Sequence, residues 1–183
     1  ESKVSYEGET GKTTFDIRFN EETELTGYMK LHMWVEAQGN DDMDLFITVQ
    51  KLDPDGKWLP TYVLGEPHPG AWGKMRVSLR KLDEEKSTDF QPVQLFREVQ
   101  KLSPGEIVPV DIEIWPHSRI WHKGEILRLV VSGHYEREGW FEPFSWETNN
   151  KGLHVIHTGG KYDSYLQVPV IPPRHVSGDF IVR

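Results

Sequence analysis

The sequence predicts an all-β protein, an antiparallel β-sandwich of the jelly-roll type. Three observations carry that expectation. The stretch from Leu25 to Gly56 writes two strands and a turn; strand signals recur along nearly the whole chain, each closed by Gly, Pro or Asn; and no helices alternate with them. Strands interleaved with helices would instead indicate a parallel α/β sheet.

The elements follow in chain order. Thr13 to Phe19 places Phe15, Ile17 and Phe19 on one face and reads as a half-buried strand. From Met29 to Ala37, apolar Met29, Leu31, Met33, Val35 and Ala37 alternate with Lys30, His32, Trp34 and Glu36, so one face is core and the other largely wet. Asp44 to Leu52 resumes strand chemistry. Asp53-Pro54-Asp55-Gly56 then supplies a turn, in which Pro presets φ and Gly accepts a positive one. The segment from Trp58 to Gly105 departs from the even spacing and reads as an insertion or long connection, with its own strand near Lys74 to Leu79. Its best helical window, Thr88 to Lys101, is too irregularly spaced to be assigned. Val108 to Ile114 alternates again, with Val108, Val110, Ile112 and Ile114 on one face. Ile126 to Val131 is more continuously apolar, as a central strand packed on both sides can be, and Lys123-Gly124 is the turn before it. Leu153 to His157 and Tyr165 to Val170 complete a set of about eight strands. Pro169, Pro172 and Pro173 lack a backbone donor, so an edge or exit is expected there.

Composition bounds the function. A chain of 183 residues suits a single domain, here taken as 1–183. It contains no Cys, which excludes disulfides and thiolate metal sites and fits a reducing, cytoplasmic compartment. The net charge is 21 − 29 = −8, with no basic run, so a broad electrostatic grip on nucleic acid is not expected. No apolar run approaches the roughly 20 residues that span a bilayer. Glu1-Ser2-Lys3 carries neither an initiator Met nor a signal sequence, and the chain is expected to be a piece of a larger protein.

Catalytic chemistry is sparse. A nucleophile elbow needs Gly two positions on either side of a Ser, and none of the ten serines has Gly two positions before it. The eight histidines form neither His-x-His nor His-Glu-x-x-His, and His154 and His157, three apart on a strand, point to opposite faces. The acidic loop Asn40-Asp41-Asp42-Met43-Asp44 could offer oxygen to Ca²⁺, but it lacks the Gly and distal Glu of an EF-hand and reads as a solvated turn. No catalytic residue, metal ligand or cofactor is therefore assigned. The remaining lead is aromatic: Trp140, Phe141, Phe144 and Trp146 fall within eight residues, as either a contact surface for a partner domain or a sugar, or a cluster sealing one end of the sandwich. Trp58, Tyr62, Trp72, Trp121 and His122 pose the same alternative with less clustering.

Six blocks in order give a family resemblance. They are Leu25-Thr26-Gly27 leading into Leu31 to Ala37; Asp44-Leu45-Phe46 running to Asp53-Pro54-Asp55-Gly56; Leu102-Ser103-Pro104-Gly105-Glu106; Ile114-Trp115-Pro116-His117-Ser118; Lys123-Gly124 through Ser132; and His154-Val155-Ile156-His157 with Leu166 to Pro172. Over roughly residues 5–173 the chain resembles the C-terminal domain of X-prolyl dipeptidyl-peptidase and cocaine-esterase-like serine hydrolases. The resemblance implies a galactose-binding-like jelly roll and a non-catalytic accessory role. The catalytic Ser, Asp and His of that family lie on an α/β-hydrolase domain that precedes this one, so the implied partner is that domain of the same polypeptide. The accessory domain would brace it and wall one side of its substrate cleft. Two other readings stand beside it: a carbohydrate-binding module of the galactose-binding-like type, and a solubilising or homo-oligomerising domain.

Overall fold

The computed structural model describes residues 1–136 and 147–173. Twelve strand segments follow one another: β1 (Ser2–Glu7), β2 (Lys12–Arg18), β3 (Thr23–Gln38), β4 (Asp44–Leu52), β5 (Thr61–Val63), β6 (Glu66–His68), β7 (Ala71–Arg76), β8 (Val108–Trp121), β9 (Ile126–Ser132), β10 (Leu153–Thr158), β11 (Tyr165–Gln167) and β12 (Val170–Ile171). All pairings are antiparallel. One sheet is ordered β1-β10-β3-β11, with β8 and β12 also on β3; the other is β2-β9-β4-β7; β5 and β6 form a separate hairpin.

The core lies between the two sheets, on the faces that the alternation marks. Leu31, Met33 and Val35 of β3 meet Leu45, Ile47 and Val49 of β4 and Leu127, Leu129 and Val131 of β9. Each fully buried side chain of this size contributes about 2 kcal/mol by leaving water. β9 sits between β2 and β4 and is buried throughout except at Arg128, which grips Asp16. The Asp53–Gly56 turn forms as its residues dictate: Gly56 has φ +87, and the Asp53 carboxylate accepts from the amides of Asp55 and Lys57 at 2.9 and 2.8 Å.

Several expectations change. β3 is longer than its clean alternation, because a register shift at Gly27 lets it continue towards Thr23 against β8. β8 correspondingly runs to Trp121 rather than stopping near Ile114. The strand expected at 74–79 is β7, ending at Arg76 and followed by a 3-10 turn at Val77–Leu79. The window 88–101 is irregular, with a single bridge between Leu82 and Gln94. β1 and the β5–β6 hairpin were not expected at all.

The acidic loop is not a solvated turn. Asp42 is almost fully buried. It accepts from the Met43 amide at 2.9 Å, the Ser78 amide at 3.0 Å, the Ser78 hydroxyl at 2.7 Å and Lys101 Nζ at 3.1 Å. Burial works against its ionised form, but these donors outweigh it and hold the carboxyl below the usual range. Asp44 is likewise buried and takes a bidentate grip from Arg76 at 2.8 and 2.9 Å. The loop ties β4 to residues far along the chain.

Candidate functional site

Five of the described serine hydroxyls are committed to structure. Ser78 donates to Asp42, Ser87 to the Val93 carbonyl, Ser132 to the His134 carbonyl and Ser164 to the His157 carbonyl, while Ser118 pairs with Thr26. None of these bonds reaches an imidazole, as an activated serine requires. Among the described residues no group of three or more His, Cys, Asp or Glu side chains is arranged to hold a metal ion. His154 and His157 do point to opposite faces. His154 is buried beside Tyr6, with Nδ1 3.2 Å from the Tyr6 hydroxyl. Burial pushes this imidazole down to about 4, so it is neutral. His157 lies on the outer face, its Nε2 2.9 Å from Glu36.

That outer face, expected to be largely wet, is covered. The loop at 159–164 leaves the sheet and folds over it. Tyr162 packs edge-on against Trp34 and lies beside His157, with ring centres 5.6 and 5.1 Å apart. Trp34 Nε1 donates to Asp163 at 2.9 Å. His32 sits 2.9 Å from Asp111 and stacks on Tyr165 at 5.1 Å. Burial opposes ionisation of Glu36, but hydrogen bonds from Gln38 and His157 outweigh it and keep the carboxyl below its ordinary range. The imidazoles of His32 and His157, the Trp34 indole and the Glu36 carboxylate of this face all have partners within the fold, so it reads as a latch for the loop.

Trp140, Phe141, Phe144 and Trp146 lie outside the described residues. The chain leading to them is placed on the outer face of the four-stranded sheet, where Tyr135 contacts Phe46 and Trp72, and Trp72 stacks on Trp115 with centres 4.8 Å apart. Trp121 resolves as core, fully buried with Nε1 donating to the Ile126 carbonyl at 3.2 Å. His122 is an exposed partner of Glu22.

The exposed apolar surface is concentrated in the insertion. Trp58, Tyr62, Val63, Leu64, Phe90, Phe96 and Val99 are all exposed, within residues 58–99. Leu64 and Phe96 are also the two non-glycine residues with positive φ, at +53 and +54, among the described residues. Large side chains in that region cost about 1 kcal/mol or more, and such strain persists where the residue is needed. Leu64, 74% exposed, occupies the tip of the β5–β6 hairpin, followed by Gly65 at φ +84. Only half of the sequence signal for this hairpin was present: Thr61-Tyr62-Val63 is β-prone and Gly65 accepts a positive φ, but Glu66-Pro67-His68 does not read as a strand. Composition alone did not mark Leu64 as exposed.

The comparisons agree with this picture of a non-catalytic sandwich. The chain matches the family described as X-Pro dipeptidyl-peptidase C-terminal non-catalytic domain over residues 4–167. It is similar to the crystal structure of a CocE/NonD family hydrolase from Staphylococcus aureus, at 39% identity and a TM-score of 0.87, covering 93% of this chain and 33% of that one. An alpha-amino acid ester hydrolase shares the fold at 12% identity and a TM-score of 0.59, over 87% of this chain and 25% of that one. An aminopeptidase from a marine sediment Thaumarchaeota archaeon does so at 12% and 0.56, over 88% and 26%. No curated protein matches significantly. The chain thus spans about a third of the length of the Staphylococcus aureus hydrolase. By its matched residues, its sandwich and its likeness to that hydrolase, the chain belongs to the X-Pro dipeptidyl-peptidase C-terminal non-catalytic domain family.

Proposed function

We propose that this domain braces the catalytic domain of a serine hydrolase that precedes it in the same polypeptide, and that residues 58–99 form the surface that meets it. The observation that carries this reading is the grouping of exposed apolar side chains on that insertion, two of them held at strained φ. An isolated soluble domain gains nothing from a strained, exposed leucine; an interface gains an anchor. The parent then hydrolyses esters, amides or X-Pro peptides through residues outside this chain, and in this reading the insertion also walls one side of the cleft.

The test uses the intact parent enzyme. Tyr62→Asp with Leu64→Asp should shorten its half-life to thermal inactivation severalfold and lower kcat/KM, while leaving the fold of this domain intact by circular dichroism. Unchanged half-life and kcat/KM would remove the hairpin from the interface. A carbohydrate-binding module is the second reading, favoured by the exposed ring of Trp115; sugar binding lost in Trp115→Ala would replace the first.

A further inference from the structure

The sandwich gapes along one side. Phe15 and Ile17 of β2 lie opposite Leu129 and Leu127 of β9, both core residues, so they face the space between the sheets. They are nevertheless 37% and 58% exposed. An inward-facing residue stays wet only when nothing from the facing sheet covers it. Between them and Leu31, Met33, Ile156 and Leu166 lies an apolar cleft of about 360 Å³.

The facing edge is unfinished at the same place. His157 of β10 pairs with Trp34, and Tyr165 of β11 pairs with His32, so β10 and β11 run collinearly along one side of β3 with Met33 between the two pairings. β1 covers the outer edge of β10, from Glu7 opposite Leu153 to Ser2 opposite Thr158. No described strand covers the outer edge of β11. Thr158 and Leu166 both line the cleft, and Glu1 lies beside Gly159 and Gly160 where the loop leaves the sheet. Traced backwards, β1 therefore points along the bare edge of β11 and across the mouth of the cleft. Its inward positions are Val4 and Tyr6, opposite Ile156 and His154, and by period two the next are Ser2 and the residue immediately before Glu1.

We propose that the polypeptide preceding Glu1 continues β1 as an extended strand on the free edge of β11, and that its inward side chains, apolar at alternate positions, close the cleft over Phe15 and Ile17. The inference rests on the reading that a catalytic domain lies upstream in the same polypeptide. Pairing satisfies the bare edge, and burial removes the wet apolar face, with one segment. The connection between the domains then becomes part of the sandwich instead of a loose tether.

Ile17 and Val170 are equally exposed here, at 58% and 59%, which provides a matched pair. In the intact parent, maleimide labelling of Ile17→Cys, read by peptide mass, should be roughly tenfold or more slower than that of Val170→Cys. Amides of the residues just before Glu1 should be protected from hydrogen exchange together with β11. Equal labelling rates, or fast exchange upstream of Glu1, would overturn the proposal. Protection of Ile17→Cys that vanishes on dilution would assign the cleft to a second copy, and protection only after adding an apolar ligand would assign it to that ligand; either result also overturns it. Leu64→Cys, labelled in parallel, separates the two ideas. If Leu64→Cys is slow while Ile17→Cys is fast, the upstream strand fails and bracing stands; if both are fast, bracing fails as well.

Discussion

Acid should destabilise this domain chiefly through His154, with a further part from His117, which burial and the neighbouring Arg119 also hold below its ordinary range. The His154 imidazole is fully buried between the sheets, against Tyr6 with ring centres 5.1 Å apart. A methyl group added at Gly8 would meet its Nε2 at 2.9 Å, so the pocket has little slack. Burial, partly offset by the charge of Asp44, lowers its pKa from 6.5 to about 4. The unfolded chain therefore binds a proton at this residue near pH 6.5, and the folded chain only near pH 4. Above the first value no penalty exists; as pH falls between the two, the unfolded state is favoured progressively. Linkage gives a loss of about 2 kcal/mol between roughly pH 7 and pH 5, a range in which the hydrogen-bonded carboxylates Asp16, Glu36 and Asp42 stay ionised. Those carboxylates, held below their ordinary range, lose their own contribution only in stronger acid. The assay is urea unfolding followed by tryptophan fluorescence across this pH range, for the native sequence and for His154→Gln. The variant should start less stable at neutral pH and show a much flatter pH dependence. Equal slopes in the two proteins would refute the assignment to His154.

Two further outcomes follow from buried geometry. Asp42→Ala should cost about 3 kcal/mol in urea unfolding, because it strands the amides of Met43 and Ser78 and the Ser78 hydroxyl without an acceptor; a loss under about 1 kcal/mol would mean that water or a neighbour replaces the carboxylate. Gly73→Ala should be at least as damaging as a typical overpacked core change, about 2 kcal/mol, since its Cβ would stand 2.2 Å from the Glu113 carbonyl oxygen where β7 crosses β8. A thermal midpoint within a degree or so of the native value would show that the crossing yields freely.

The strands that could be read early are those whose signal is local. β3 alternates so regularly that its inward face, Leu31, Met33 and Val35, follows from period two alone, whereas β4 reads as a strand whose inward set, Leu45, Ile47 and Val49, is fixed by its packing. β9 was legible as a central strand because it is more continuously apolar than its neighbours, and the turn at Asp53–Gly56 because Pro and Gly fix it. β1 was not legible: Ser-Lys-Val-Ser-Tyr-Glu is short and mostly polar, and its place depends on β10, with Tyr6 meeting His154 some 148 positions later. The acidic loop misled for the same reason. Nothing near Asp42 in sequence announces that Ser78 and Lys101 will arrive to bury it.

The candidate site was legible in kind more than in place. Missing serine-elbow glycines and scattered histidines pointed away from catalysis within this chain, and aromatic residues pointed to contact surfaces. Which aromatics are spent on the core, as Trp121 is, and which remain outside, as Tyr62 and Trp115 do, was settled by packing.

By itself the sequence determined the strands with a strong local signal, the apolar face of β3 and that no nucleophile elbow is written here, because these depend on neighbouring residues and fixed backbone periods. Tertiary structure alone decided which apolar faces are covered. Phe15 and Ile17 carry the same inward pattern as Leu31 and Met33, yet are 37% and 58% exposed because no described strand of the opposite sheet covers them. Burial is a property of what arrives on the other side, and that is fixed by contacts distant in sequence.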